Sequence, residues 1–339
     1  MKMSKRISGT APDCTGRSGS TGTPAGKTDS LQEKLDAVRE NIAKVFVGPG
    51  ETVDLLLTAL ICQGHVLIED MPGLGKTTLA SALARSLGCT FGRIQFTPDV
   101  TPADVTGYSL INLATGEREV HMGSVMRQIV LADEINRAGP KTQSSLLEAM
   151  QERQVTIDGE TYPLPAPFMV LATQNPLGLA GTFPLPEAQL DRFLLRLSIG
   201  YPDRAGEGEI LRRGMEGGGA ELSPVLTREG LEEIHKAFRG VACAQAVVDY
   251  IIDIAAATRR HEQIELGISP RGSLALLSAS RAYALLQGRD YVRPDDVQKL
   301  AGPVLLHRIR LKSQAVFRQQ TAERVLSDIV RGIRVPGVG

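Results

Sequence analysis

Residues 66–78, VLIEDMPGLGKTT, restrict the folds open to this chain more than any other stretch. Val66-Leu67-Ile68 is an apolar run suited to a buried strand, Met71 to Gly75 is a Pro/Gly loop, and from Lys76 onward the apolar residues are spaced as on a helix. Strand, glycine loop, Lys-Thr and helix is the layout of a phosphate-binding P-loop. Gly73 and Gly75 let the backbone turn its N–H groups inward around phosphate oxygens, and the new helix presents its positive end to the same anion. Lys76 is placed to reach the β- and γ-phosphates, and the Thr77 hydroxyl to take one position on Mg2+. Pro72, Leu74 and Thr78 complete the phosphate-binding set. Asp70 stands where the usual pattern begins with glycine.

The chain carries its own control. Residues 22–28, GTPAGKT, also contain Gly-Lys-Thr, but no apolar run precedes them and Asp29-Ser30 follows rather than an amphipathic helix. The context that accepts Lys76 rejects this copy.

With 42% hydrophobic and 22% charged residues over 339 positions, the chain has the apolar content of an ordinary globular protein and the length for two domains. Its 38 Lys+Arg balance its 38 Asp+Glu, so net charge gives no argument for nucleic acid, an anionic membrane or an acidic substrate. Cys14, Cys62, Cys89 and Cys243 lack CxxC spacing, which fits a reducing compartment and opposes a disulfide framework or a zinc site. His261-Glu262 is followed at the next helical turn by Glu265 rather than a second His, which leaves a metalloprotease motif incomplete. No run approaches the roughly 20 apolar residues of a membrane span, and no apolar block follows Lys2, Lys5 and Arg6 as a secretory signal requires. The expected location is the cytoplasm.

In chain order, residues 1–29 are rich in Gly, Ser, Thr and Pro and read as a disordered tail. A helical pattern starts at Ser30, a second spans 51–62, and His65, leading into the P-loop strand, reads as structural. After a second strand near 93–96 come an alternating pair of segments, 108–113 and 117–121, that read as a hairpin. Ile129 to Glu134 is a buried strand ending in two carboxylates, and ligands of open α/β sheets gather at such strand ends. Asp133 is placed to hold Mg2+ through water, and Glu134 to orient and polarise an attacking water. A helix over 141–151, an Asp158-Gly159 hairpin and a buried strand over 168–172 follow. That strand leads to Asn175, an amide able to bond both a γ-phosphate and a lytic water. A short helix over 186–193 and a last strand near 194–198 close the α/β part. Beyond Pro202 the pattern is helical, ending in a basic stretch, 305–335, expected to be a helix with a solvated charged face.

Together the motifs EDMPGLGKT, LADEINRAGPKTQSSLLEAMQERQVTIDG, ATQNPLG, LPEAQLDRF, SPRGSLALLSASRAYALLQGRDYVRPDDV and LLHRI resemble the MoxR family of AAA+ ATPases, in order and over about 47–309. The resemblance implies an α/β core, a five-stranded parallel sheet in the order 5-1-4-3-2, over about 30–202, with a C-terminal α-helical lid over 203–339. It makes residues 108–121 an insert in helix 2 and 154–162 a hairpin before the sensor strand. It assigns Lys76 and Thr77 to Walker A, Asp133 and Glu134 to Walker B and Asn175 to sensor 1, and counts Val47 and Gly48 among the nucleotide-binding residues. Arg192 falls where related proteins place an arginine finger that reaches a neighbour's nucleotide, and Arg271 resembles sensor 2. The family departs here in one place: Val120 to Met126 replaces an aromatic and Gly-Pro segment.

The implied function is ATP hydrolysis with Mg2+ by a homo-oligomeric ring, a hexamer by resemblance, driving chaperone-like maturation of a client, such as cofactor insertion. The expected partner bears a von Willebrand factor A domain. Two alternatives are a DNA-acting motor and a weakly hydrolysing nucleotide-gated scaffold. Acidic hairpin tips, Asp158-Gly159-Glu160 and Thr115-Gly116-Glu117, argue against the first, and Glu134 beside Asp133 argues against the second.

Overall fold

The apolar runs that read as buried strands lie side by side in the computed structural model, which describes residues 25–175, 181–217 and 220–337. Strand β1 (Val66–Glu69) lies between β8 (Met169–Gln174) and β9 (Leu195–Leu197), β5 (Ile129–Asp133) flanks β8, and β2 (Phe91–Gln95) forms the edge. All four pairings are parallel, with Val66 opposite Leu171 and Leu195, Ile129 opposite Met169, and Gln95 opposite Asp133. Counted among the five alone, the order is 5-1-4-3-2, as the resemblance implies. The three central strands, β1, β5 and β8, are apolar along most of their length because helices cover both faces. Val66, Ile68, Leu131 and Leu171 face one core, shared with α1 (Ala25–Ala43), α2 (Gly50–Ile61) and α3 (Lys76–Ser86). Leu67, Val130, Ala132, Val170 and Ala172 alternate with them and meet Leu146 and Leu147 of α5 (Pro140–Glu152) on the other face.

Two antiparallel hairpins rise from this core: β3 (Gly107–Ile111) with β4 (Arg118–Met122), preceded by the short α4 (Pro102–Thr106), and β6 (Gln154–Ile157) with β7 (Glu160–Pro163). Asp158 and Gly159 both have positive φ, the backbone that a two-residue hairpin turn requires. After α6 (Glu187–Leu190), β9 and α7 (Arg204–Met215), the chain builds a lid from α8 (Arg228–Gly240), α9 (Gln245–Arg260), α10 (Pro270–Leu286) and α11 (Pro294–Leu305). Helix α10 packs on α11 and on α2, so one apolar core runs from the sheet into the lid.

Two sequence expectations need correction. Helix α1 begins at Ala25, inside the stretch read as tail, so Lys27 and Thr28 of the second GKT lie in helical backbone. Once Leu31, Leu35, Val38 and Ile42 anchor the helix on the core, extending it by a turn costs little. The rest of that tail, with Cys14, lies outside the described residues, as do Pro176, Leu177 and Gly178 of ATQNPLG. The C-terminal stretch is not one helix. It breaks into a 3-10 turn (Leu306–Arg308), β11 (Arg310–Leu311), α12 (Ser313–Phe317) and α13 (Ala322–Gly332). Ile309 and Leu311, two residues apart, pack with Ile264, Val325 and Ile329, and β11 pairs with β10 (Ile264–Leu266), a strand that the sequence reading missed. That packing imposes a period of two where the local pattern reads as helix.

His65, buried at the entry to β1, fastens strand to helix as a structural residue. Its Nδ1 accepts from the Val170 N–H at 3.0 Å, so the proton sits on Nε2, which donates to the Met150 carbonyl at 3.0 Å. Burial, aided by the nearby Arg153 charge and opposed by the Met150 bond, pushes its pKa down to about 4. Between pH 6.5 and 4 the unfolded chain takes up a proton that the native state refuses, so this contribution is complete above pH 6.5 and is lost as pH falls. Lowering the pH from 6.5 to 5 is expected to remove about 2 kcal/mol through His65. Urea titrations at both pH values check this. A His65→Gln variant whose midpoint falls as steeply as that of the wild type would assign the acid sensitivity elsewhere.

Candidate nucleotide site

Two of the loop glycines turn where only glycine turns without strain: Gly73 has φ +88° and Gly75 +80°. Gly75 is the N-cap of α3, so the first N–H groups of that helix open onto the loop. Lys76 folds back, its Nζ donating to the Asp70 carbonyl at 2.6 Å. Burial lowers the Lys76 pKa, while the charges of Asp70, Asp133 and Glu134 act to raise it. Asp70, the departure from the usual glycine, has a local cause. Its buried carboxylate accepts from Ser198 Oγ at 2.7 Å and from the backbone N–H groups of Ile199 and Gly200, which ties the loop to the end of β9.

The carboxyl ends of β5 and β8 complete the cleft. Thr173 Oγ1 donates to Asp133 Oδ1 at 2.7 Å and accepts from the Glu134 N–H at 2.8 Å, so one hydroxyl sets both acids. Glu134 lies in left-handed backbone, φ 57° and ψ 48°, a conformation uncommon outside Gly, Asn and Asp that concentrates at functional sites. Its Oε2 accepts from Arg137 Nη1 at 2.9 Å and from Gln95 Nε2 at 3.2 Å. Arg93 donates to Asp133 Oδ2 at 2.6 Å.

Pro72, Gly73, Gly75, Lys76, Thr77, Asp133, Glu134 and Asn175 thus line one cleft, with Asp70, Arg93 and Gln95. Leu74 and Thr78 belong to the same loop and helix without lining it, and Gly48 opens on a separate depression beside Phe46. Val47 and Gly48 do not line the cleft; the Phe46 ring lies against Gly48 and 3.5 Å from where a Gly75 Cβ would sit. The Thr77 hydroxyl and the Asp133 carboxylate in one cleft are the hard oxygen donors suited to Mg2+, which takes one or two protein ligands beside phosphate oxygens.

Arg192 and Arg271 are elsewhere. Both line a second pocket with Gln63, Arg153, Asp191 and Arg308, none of which touches the P-loop cleft. The pocket is framed across the core and the lid: Asp191 accepts from Arg308 Nε at 2.7 Å and from Ser269 Oγ, the N-cap of α10, at 3.3 Å. Arg308 is 6% exposed and also donates to the carbonyls of Phe193, at 2.6 Å, and Leu194, at 3.1 Å. This corrects the solvated reading of the basic C-terminal stretch at its most consequential residue: the Arg308 guanidinium is buried, and its donors are spent on Asp191 and on backbone carbonyls.

Sequence reasoning missed Arg93, Gln95, Arg137, Thr173, Arg153 and Arg308. Arg93 and Gln95 left a signal, being two residues apart on a strand and hence on one face; the partners of the others are set by tertiary contact. The hairpin acids also change meaning. Arg118 donates to Glu160 Oε1 at 3.1 Å and lies 3.6 Å from Asp158 Oδ2, so the one Lys or Arg within 107–122 and 154–163 is already engaged.

Parallel sheet, P-loop, paired acids at a strand end and a helical lid define a P-loop nucleotide-binding protein of the AAA type. Residues 65–195 match the ATPase family associated with various cellular activities, and residues 256–329 match the AAA lid domain. The YeaC protein of Bacillus subtilis strain 168 is 48% identical over 309 residues, covering 91% of this chain and 97% of that protein. Chaperone MoxR1 of Mycobacterium tuberculosis is 38% identical over 93% of this chain and 86% of its own length. A crystal structure from Cytophaga hutchinsonii superposes with TM-score 0.86 at 36% identity, covering 92% of this chain and 98% of that one. The chain belongs to the MoxR family of AAA+ ATPases.

Proposed function

We propose that this protein hydrolyses ATP as a homo-oligomeric ring and uses the cycle for chaperone-like remodelling of a protein client. The observation that carries the reading is the division of one chain into two half-sites: Lys76, Thr77, Asp133, Glu134 and Asn175 share one cleft, and Arg192 and Arg271 share another pocket. A cleft lined by the phosphate loop and the paired acids and a pocket lined by Arg192 and Arg271 complement each other between copies, and a head-to-tail repeat of that contact closes into a ring.

In this mechanism the loop N–H groups and Lys76 hold the β- and γ-phosphates. Glu134 accepts a proton from the attacking water through Oε1, because Arg137 and Gln95 occupy Oε2. Asn175 orients that water, and Arg192 and Arg271 of the adjacent copy meet the charge on the transferred phosphoryl group. Thr77 and Asp133 would hold Mg2+, which when bound neutralises phosphate charge.

The protein-client part rests on the relative named Chaperone MoxR1 and on the first hairpin, where Leu110, Ile111 and Leu113 are exposed and the sole basic residue, Arg118, is engaged. A von Willebrand factor A domain partner, a hexameric count, maturation by cofactor insertion and a cytoplasmic location complete the proposal by family resemblance. Among the described residues no helix is long and apolar enough to cross a membrane.

The test is phosphate release at rising protein concentration, with fluorescent-nucleotide binding, for wild type and Lys76→Ala. Specific activity should climb to a plateau as rings assemble. Lys76→Ala should bind nucleotide about 10- to 100-fold more weakly, the worth of a charged hydrogen-bond donor, and lose turnover. Turnover that is absent, or indifferent to both concentration and Lys76, overturns the reading.

A further inference from the structure

The pocket that holds Arg192 and Arg271 contains more positive charge than those two residues supply. Arg153, Arg192, Arg271 and Arg308 line a space of about 300 Å3 in which the lone carboxylate is Asp191. Asp191 is taken by Arg308 at 2.7 Å, and among the described residues no ion pair is made by Arg153, Arg192 or Arg271. Three guanidinium groups without an ion-pair partner thus line one pocket of a chain whose formal charges cancel, a local excess of positive charge suited to an anion.

Arg153 is built into this pocket. It is the C-cap of α5, in left-handed backbone at φ 53° and ψ 31°, with its N–H bonded to the Ala149 carbonyl. Its Nη2 donates to the Gln63 carbonyl at 2.7 Å and its Nη1 faces Gln63 Oε1 at 3.3 Å, which fixes one side of the guanidinium against the turn after α2. Five N–H donors in a planar fork leave further donors for a phosphate.

We propose that Arg153 is a third phosphate-contacting arginine of this pocket, binding the terminal phosphates of a nucleoside triphosphate held in the cleft of an adjacent copy. The inference rests on the ring reading above and extends it to a residue outside the arginine-finger and sensor positions. Arg153 immediately precedes β6, and its carbonyl accepts from the Leu164 N–H just beyond β7 at 2.9 Å, so the contact would tie the neighbour's phosphate to the base of the β6–β7 hairpin.

Arg153→Asn is the informative variant, since Asn tolerates left-handed backbone and removes only the guanidinium. In a Glu134→Gln background, which blocks hydrolysis, the ATP concentration that drives assembly is read by sedimentation velocity. Adding Arg153→Asn should raise it about tenfold, the effect of one charged hydrogen bond. Fluorescent-ATP affinity at dilutions where the protein is monomeric should stay unchanged, because the protein's own cleft is untouched. Arg153→Lys, which keeps the charge without the fork, should fall between the two and serves as the folded comparison if the Asn variant unfolds. If either variant assembles at the wild-type ATP concentration while Arg192→Ala does not, the inference about Arg153 is wrong and the ring reading stands. Should Arg192→Ala also assemble at the wild-type ATP concentration in that background and, with Glu134 intact, turn over normally, the ring reading itself fails.

Discussion

Arg192→Ala is expected to lower ATP turnover by about 10³- to 10⁵-fold, the range over which an arginine finger acts. Nucleotide affinity in the variant's own cleft should be preserved, because Arg192 lines a different pocket from Lys76 and Thr77. The physical origin is electrostatic: phosphoryl transfer gathers charge on oxygens that water cannot reach in a closed interface, and a fixed guanidinium meets that charge without reorganising. Arg192 is well placed to be fixed, since Asp191 before it is held by Arg308 and Ser269, and the Phe193 carbonyl after it accepts from Arg308. Mixing Arg192→Ala with an equal amount of Glu134→Gln separates this from simple damage. An interface that pairs the intact Glu134 of the first with the intact Arg192 of the second is complete, and in a head-to-tail ring about a quarter of interfaces have that composition. Turnover should recover toward that fraction. A mixture as inactive as its parents would show that Arg192 does not act between copies.

Glu134→Gln should reduce turnover by about 10²- to 10⁴-fold, the worth of a positioned general base, while ATP still binds and still drives assembly. The substitution keeps the side chain's shape and removes the basicity of the oxygen facing the water. It also weakens the bonds of Arg137 and Gln95 to Oε2, which now meet a neutral amide. Radiolabelled ATP retained through rapid gel filtration, with single-turnover phosphate release, distinguishes the step affected. Retained ATP with slow release is the expected result. Unchanged release would remove Glu134 from the chemistry and favour a scaffold that binds nucleotide without using it.

Much of this architecture was legible because its signals are local. The P-loop announces itself through an apolar run, two glycines and an amphipathic helix within twenty-one residues, 66–86. The paired acids follow an apolar run in the same way, and Asp158-Gly159 marks its hairpin by turn chemistry alone. The stretch 305–335 was misread for the opposite reason. Its helical spacing is real locally, but Ile309 and Leu311 find a better surface on Ile264, Val325 and Ile329 than a helix could give them.

The order of the chain therefore determined the P-loop, the paired acids, the sheet strands and the family, since each depends on residues adjacent in sequence or on short periodicities. Only the tertiary structure decided that Asp70 locks the loop to β9, that Thr173 sets both acids and that Arg308 is buried across the seam of core and lid. It alone set Arg153, Arg192 and Arg271 in one pocket away from the P-loop cleft. Those relations join residues tens to hundreds of positions apart, and the hydrogen bonds and charges that define them exist only once packing has excluded water and fixed the side chains.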